Sequence, residues 1–123
     1  MIKGISHITF AVKDLTRTSA LFKKVFDAAE VHSTHQAKYF LINNLWVALN
    51  AGEPSPHRTY NHIAFQIEDS DFDKYMTLIK EAGAEIKPDR PRKTGEGRSI
   101  YFYDFDNNLF ELHTGTLSER LNQ

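Results

Sequence analysis

Hydrophobic and polar residues alternate along two short segments of the chain, and each segment begins next to a histidine. Residues 6–12 read Ser-His-Ile-Thr-Phe-Ala-Val, and residues 61–67 read Asn-His-Ile-Ala-Phe-Gln-Ile. A period of two is typical of a half-buried strand. Each segment is followed by an acidic residue and then by a helical pattern. The sequence therefore predicts two copies of one folding unit, with His7 and His62 in equivalent positions.

The pattern after each of these strands extends the duplication. In the first copy, a strand over 5–12 precedes a helix over 15–27, which Asp14 or Thr16 would cap. In the second copy, a strand over 61–67 precedes a helix over 71–82, opened by the acidic run that starts at Asp69. Three more strands are predicted in each copy, over 29–33, 37–42 and 45–50 and then over 85–87, 99–104 and 109–114.

The order β-α-β-β-β therefore occurs twice, which predicts an α+β fold of two tandem βαβββ modules. Module 1 covers about 1–53, module 2 covers about 58–116, and a short helical tail covers 117–123, all within one domain of 123 residues. The segment 51–56 contains two prolines and a glycine, which break strand pairing, and is predicted to link the modules.

Composition narrows the classes of function. The chain has no cysteine, which excludes disulfides, zinc–thiolate sites and a cysteine nucleophile. It shows no secretory signal and no apolar run that could span a membrane, so we expect a cytoplasmic protein. A net charge of -1 gives no reason to expect nucleic-acid binding.

The duplication also points to a metal site. Aligning residues 49–52 with 112–115 places Ala48 opposite Glu111, a carboxylate inside an apolar strand. Such a group is costly to bury unless it is paired, protonated or bound to a metal. His7, His62 and Glu111 would leave coordination positions open, and this ligand set suits Mn, Fe, Ni or Zn. A strand histidine taken alone is more often a packed or surface residue, so the prediction depends on the joint pattern.

Other histidines have weaker cases. His113 shares a strand face with Glu111, two residues away, and is a candidate for orienting this carboxylate. His32, His35 and His57 lie in polar contexts and are predicted to be solvated.

The paired modules resemble the vicinal oxygen chelate superfamily and, more narrowly, the fosfomycin-resistance proteins, above all their FosX-type branch. The resemblance extends over nearly the whole chain and is carried by residues 4–10, 58–66, 95–104 and 109–121. It implies a homodimer with exchanged modules, in which each Mn(II) site takes ligands from both subunits. It implies fosfomycin, a small epoxide bearing a phosphonate, as substrate, with the metal polarising the C–O bond.

The resemblance also implies roles for particular residues of this chain. Thr9 and Tyr101 are expected to be catalytic residues, and the Thr9 hydroxyl would reach the epoxide. Trp46 and Tyr60 would line the site, although core packing is the commoner role of such residues. Directed hydrogen bonds to the phosphonate are expected from a set of polar residues, namely Arg92, Lys93, Ser99, Tyr101 and Arg120.

One departure leaves the nucleophile open. In the hydrolytic branch, a glutamate before a Lys-aromatic-Phe segment is the general base for water, but Ala37 occupies this position here, before Lys38-Tyr39-Phe40. His35 is the nearby titratable candidate. The segments 39–40 and 46–50 also resemble thiol-transferase branches, in which a small thiol opens the epoxide. Overall similarity favours Mn(II)-assisted addition of water, with thiol addition and action on another small oxyanion as alternatives. A non-enzymatic binding module is disfavoured by the joint presence of the three ligands.

Overall fold

Each histidine-led segment forms the first strand of its own four-stranded sheet in a computed structural model of the chain, which describes residues 1–122. The chain divides into two compact units, Met1–Pro56 and a second that begins at His57. The elements of unit 1 are β1 (His7–Val12), α1 (Leu15–Phe26), β2 (Ala29–Ser33), β3 (Ala37–Ile42) and β4 (Leu45–Ala51). The elements of unit 2 are β5 (His62–Gln66), a single 3-10 turn (Asp69–Asp71), α2 (Phe72–Glu81), β6 (Glu85–Lys87), β7 (Ser99–Tyr103), β8 (Leu109–His113) and α3 (Leu117–Leu121).

The two sheets have the same topology. Sheet 1 has the order β1-β4-β3-β2, sheet 2 has the order β5-β8-β7-β6, and the first strand of each is parallel to the last. The register also matches, because His7 pairs with Trp46 as His62 pairs with Leu109. The predicted α+β fold of two βαβββ modules is therefore confirmed.

Local sequence accounts for several element boundaries. The Asp14 side chain accepts a hydrogen bond from the Arg17 amide (3.0 Å) and caps α1, which ends at Asp27 in the left-handed conformation with φ 51°. Asn43 joins β3 to β4 at φ 53°, and Asn107 joins β7 to β8 at φ 68°. Asparagine tolerates this conformation better than other non-glycine residues, which is why the turn signals of the two modules correspond.

One face of sheet 1 packs on α1 and the other carries His7. Phe22 of α1 lies 5.9 Å from Phe40 of β3 between ring centroids, so the Phe40 face is the helix face. A β-bulge between Glu30 and His32 reverses the alternation along β2. Glu30 consequently lies on the helix face, where Lys23 (3.5 Å) and Lys38 (3.1 Å) pair with it.

Three smaller results complete the comparison with the predictions. Helix α2 is preceded by the 3-10 turn where the sequence predicted the helix to open, and the predicted helical tail forms α3. Gln123, the last residue of the predicted tail, lies outside the described residues. Across residues 1–122, we find no helix with the length and apolar character that a membrane crossing requires.

Candidate functional site

His62 and Glu111 lie against each other on one face of sheet 2. Glu111 is buried, and its Oε1 lies 3.0 Å from Nε2 of His62. Nδ1 of His62 lies 2.7 Å from the carbonyl oxygen of Tyr60, which can only accept a hydrogen bond. Nδ1 therefore carries a hydrogen and donates it to this carbonyl, while Nε2 faces the carboxylate. Two acceptors at this distance require a cation between them, either a proton or a metal ion.

The separation of these two atoms fits a shared metal ion. Ligand nitrogen and oxygen atoms lie about 2.1 Å from a small divalent metal, so two ligands at a right angle are about 3.0 Å apart. That is the observed distance between His62 and Glu111. The third predicted ligand, His7, belongs to unit 1. Within residues 1–122 of one chain, no group of three or more His, Asp or Glu side chains is arranged to hold a metal.

The second carboxylate oxygen of Glu111 faces a polar cluster rather than His62. Its Oε2 lies 2.6 Å from the Ser99 hydroxyl, 3.4 Å from Nδ1 of His113 and 3.9 Å from Nη2 of Arg92. The register explains this, because Ser99 pairs with His113 and Tyr101 pairs with Glu111 across β7 and β8. The structure thus brings His113 and Ser99 to Glu111, and the predicted role of His113 in orienting this carboxylate stays a prediction.

A cavity of about 300 Å³ opens over this pair. Its lining includes three arginines, Arg90, Arg92 and Arg120, beside His62 and Glu111. The remaining lining residues are Tyr60, Ala64, Tyr101 and His113. An anion of two charges, such as a phosphonate, suits a cavity with three guanidinium groups.

The loop between β6 and β7 supplies two of these arginines, and a buried glutamate holds it together. Glu96 accepts hydrogen bonds from Nη2 of Arg90 (2.7 Å) and from the Lys93 amide (2.6 Å), and Nε of Arg120 lies 3.8 Å away. The Arg90 guanidinium, followed by the Lys93 amide, lowers the pKa of Glu96 from 4.5 to about 2. Glu96 is therefore the ionised group around which the loop folds.

Two residues of this loop, Arg90 and Lys93, have positions that the sequence did not predict. Lys93, which the sequence predicts to bind the phosphonate, donates its backbone amide to Glu96 and is not among the residues that line the cavity, so the role of its side chain stays a prediction. Arg90 was not among the predicted substrate residues, although it lines the cavity. A glutamate between Gly95 and Gly97 was the available signal, since a carboxylate in a basic loop needs a cationic partner.

Among the residues around the cavity, the Tyr101 hydroxyl and the Arg92 guanidinium have shifted pKa values. Burial raises the pKa of Tyr101 well above its usual value of 10.0, and the Tyr60 hydroxyl and Glu111 act in the same direction. The Tyr101 phenol therefore stays protonated at neutral pH. Hydrogen bonds with Asp89, at 2.9 and 3.0 Å, raise the pKa of Arg92 above its ordinary value and fix its orientation. Tyr60 is mostly exposed, and its hydroxyl lies 3.4 Å from that of Tyr101.

His7 lies at one end of an aromatic row on sheet 1. Its ring stacks on Trp46 with centroids 4.1 Å apart, Trp46 lies 5.3 Å from Tyr39, and Tyr39 lies 4.8 Å from His32. Thr9, two residues after His7, shares its face of β1. The indole Nε1 of Trp46 is buried and has no hydrogen-bond partner within residues 1–122. The structure therefore places His7, Thr9 and Trp46 on one face.

The same face contains the position of the missing base. Ala37 alternates with Lys38 and shares the face of Tyr39, so residue 37 points to the His7 side of sheet 1. The side chains that β1–β4 present on this side include no carboxylate, because the bulge in β2 directs Glu30 to the helix. His35 is exposed in the turn between β2 and β3. His32 is exposed as predicted, but it lies in a strand and contacts Tyr39.

Comparison with known proteins places the chain in a family. The family model of the Glyoxalase/Bleomycin resistance protein/Dioxygenase superfamily matches residues 4–112. The fosfomycin resistance protein FosX of Listeria innocua is 53% identical over an alignment of 128 residues including gaps, which covers 98% of this chain and 96% of that protein. The metallothiol transferase FosB of Shouchella clausii is 44% identical over 127 residues, covering 98% and 86% of the two chains.

A solved structure is equally similar. It is a point variant of FosX from Listeria monocytogenes in complex with Mn(II) and 1S,2S-dihydroxypropylphosphonic acid. It superimposes with a TM-score of 0.94 at 56% identity, covering 98% of this chain and 97% of that chain. The chain therefore belongs to the FosX-type fosfomycin resistance proteins of the Glyoxalase/Bleomycin resistance protein/Dioxygenase superfamily.

Proposed function

We propose that this protein is a Mn(II)-dependent enzyme that inactivates fosfomycin by adding water to its epoxide. The observation that carries the proposal is the His62–Glu111 pair. Its two potential metal-ligating atoms, Nε2 of His62 and Oε1 of Glu111, lie 3.0 Å apart beside a cavity lined by three arginines. Similarity to FosX supports it, and so does the diol phosphonate in the related structure, which is the adduct expected of water and an epoxypropylphosphonate.

The metal would be held by His62 and Glu111 together with His7. We propose a homodimer in which His7 of one chain completes the pair of the other, as the resemblance of the sequence to this family implies. When bound, the ion supplies Lewis acidity, which withdraws electron density from the epoxide oxygen and weakens its bond to carbon. Mn(II) accepts this mixture of imidazole and carboxylate ligands.

The residues of the cavity bind and orient the anion. Arg90, Arg92 and Arg120 attract the phosphonate, and the orientation of Arg92 is fixed in advance by Asp89. The Tyr101 hydroxyl is a donor that stays protonated. Thr9 and Trp46 would contact the substrate from the module that carries His7, since both lie on the His7 face of sheet 1.

In the reaction, the oxygen of water forms a bond to one epoxide carbon, and the bond between this carbon and the epoxide oxygen breaks. The proton lost by water is balanced by the proton that the epoxide oxygen gains, so the product is the diol. A base must accept the first proton. His35 is our candidate from the sequence, and His32, which the bulge places on the His7 side, is a second imidazole to test.

Phosphorus NMR of fosfomycin, incubated with the Mn(II)-loaded protein and no thiol, tests the proposal. We expect conversion to the diol and no conversion with His62→Ala. Full activity of His62→Ala would refute the metal site. Loss of activity in His35→Ala, but not in His32→Ala, would identify the base.

A second candidate function is favoured by the identity of residue 37. A small thiol with a pKa near 8.5 is about 3% thiolate at pH 7 and attacks without a carboxylate base. In this reaction the sulfur forms a bond to one epoxide carbon, the bond between this carbon and the epoxide oxygen breaks, and the oxygen takes up the proton that the thiol lost. Conversion only in the presence of cysteine, glutathione or bacillithiol would assign the protein to this reaction.

Restoring the carboxylate separates the two functions further. Residue 37 points to the His7 side of sheet 1, so Ala37→Glu places a base where the sequence comparison expects one. We expect about 100-fold faster diol formation without thiol, the lower end of what general base catalysis contributes. Ala37→Gln, which has the same size and no basic group, is the matched control and should give no increase.

A further inference from the structure

The Ser99 hydroxyl is surrounded by three polar groups of unit 2. Nη2 of Arg92 lies 3.0 Å from it, Nδ1 of His113 lies 2.7 Å away, and Oε2 of Glu111 lies 2.6 Å away. A guanidinium can only donate and a carboxylate can only accept, so Ser99 accepts from Arg92 and gives its one hydrogen to Glu111. The contact with His113 then requires that Nδ1 of His113 donates to Ser99.

This arrangement leaves the two oxygens of Glu111 in different states. Oε2 accepts the Ser99 hydrogen, while Oε1 lies 3.0 Å from Nε2 of His62. It also leaves Ser99 with no hydrogen to offer a phosphonate, which is the role the sequence suggested for it. The hydroxyl is therefore committed to Glu111.

The fold itself does not need this network. In unit 1, Ala37 pairs with Asn50 and Tyr39 pairs with Ala48, as Ser99 pairs with His113 and Tyr101 with Glu111 in unit 2. The positions equivalent to Ser99, Glu111 and His113 are thus Ala37, Ala48 and Asn50. Since the same sheet forms without a hydroxyl, a carboxylate or an imidazole at these positions, the network belongs to the site.

The ring of His113 is also held in place. A side chain at Gly115 would come within 2.9 Å of Nε2 of His113, so the absence of a side chain there makes room for the ring. The ring can therefore stay at hydrogen-bond distance from Ser99. Its position depends on Gly115, a residue that makes no side-chain hydrogen bond to Glu111 or Ser99.

We propose that Ser99 and His113 are positioning residues for the metal: together they hold Glu111 so that Oε1 alone is offered to the ion. This inference rests on the proposed metal site. Partners of metal ligands usually contribute between about 10-fold and 100-fold to metal affinity. Removing the Ser99 hydroxyl should therefore weaken Mn(II) binding before it affects the fold, because a carboxylate released from Ser99 is free to rotate away from His62.

The test is a titration of the full-length protein with Mn(II), in which EPR measures the free ion. We expect Ser99→Ala and His113→Leu to raise the Kd for Mn(II) at least 10-fold. His113→Asn should stay within about threefold of the parent, because its amide can replace the Nδ1–H donor. Ser70→Ala, at an exposed serine of the same unit, is the matched control and should bind normally. Thermal melting without metal verifies that each variant is folded.

The outcomes separate this inference from the proposed function. If the parent does not bind Mn(II), the metal site and the positioning role are both refuted. If the parent binds and Ser99→Ala binds equally well with a raised KM for fosfomycin, Ser99 is a substrate donor and only the positioning role is refuted. If His113→Asn is as weak as His113→Leu, the hydrogen bond from His113 is not the cause. Should Ser99→Ala fail to fold, the His113 pair decides the question by itself.

Discussion

Replacing Gly115 by alanine perturbs the candidate metal site from a residue that supplies no ligand. The added Cβ would lie 2.9 Å from Nε2 of His113 and 3.1 Å from the carbonyl oxygen of Glu96. Its backbone is not in the left-handed region, so alanine introduces no strain in φ. The consequence of the substitution is therefore a collision with the imidazole and the loop.

The magnitude follows from these distances. Ordinary van der Waals contact begins at 3.4 Å, so the imidazole must retreat by about 0.5 Å. If the ring moves away from Ser99 by this amount, the 2.7 Å contact between Ser99 and Nδ1 lengthens to about 3.2 Å, the limit of a useful hydrogen bond. We therefore expect Gly115→Ala to raise the Kd for Mn(II) about 10-fold, the lower end of the effect of such partners.

The assay is the EPR titration with Mn(II), accompanied by thermal melting of the metal-free protein. Gly52→Ala is the matched control, since its Cβ would meet only Ala11 at 3.9 Å. The reasoning is refuted if Gly115→Ala binds Mn(II) as tightly as Gly52→Ala does. It is also refuted if the affinity lost in Gly115→Ala adds fully to that lost in Ser99→Ala, because one hydrogen bond cannot be removed twice.

Two further predictions concern the anchoring of the loop and the ligand in unit 1. Because the folded pKa of Glu96 is depressed to about 2, its carboxylate stabilises the loop above pH 4.5, and this contribution is lost as the pH falls toward 2. The amide resonance of Lys93 in NMR spectra should shift over this pH interval. In Glu96→Gln it should have the shifted position already at pH 7. A Lys93 resonance at the same position in the parent and in Glu96→Gln at pH 7 would contradict the role of Glu96. Trp46, the single tryptophan, stacks on His7 at 4.1 Å. We expect Mn(II) to quench its fluorescence in the parent and not in His7→Gln, and equal quenching in both would exclude His7 as a ligand.

The duplicated pattern of alternating residues determined the architecture. Strand periods, capping by Asp14 and the asparagine turns at 43 and 107 are local properties, so the sequence specified both modules and the equivalence of His7 with His62. It also singled out Glu111, because an acidic residue within an apolar strand conflicts with its surroundings at the level of the sequence.

Tertiary structure decided how the polar residues share their hydrogen bonds. The sequence grouped Ser99 with the phosphonate ligands, but the register of β7 on β8 brings the Ser99 hydroxyl within hydrogen-bond distance of Glu111. The fold of the loop likewise brings the Lys93 amide to Glu96, a contact that the sequence did not predict. These assignments depend on which side chains meet across strands and loops.

The bulge in β2 likewise determines the direction of side chains that the sequence alone does not show. Strict alternation would place Glu30 and His32 on one face, whereas the extra residue between them directs Glu30 to the helix and His32 to the His7 side. The sequence shows that residue 37 is not a carboxylate. Only the fold shows that no other carboxylate of strands β1–β4 points to the His7 side in its place. Local patterns fix which elements form, while the direction of each side chain depends on pairing between segments distant in the chain.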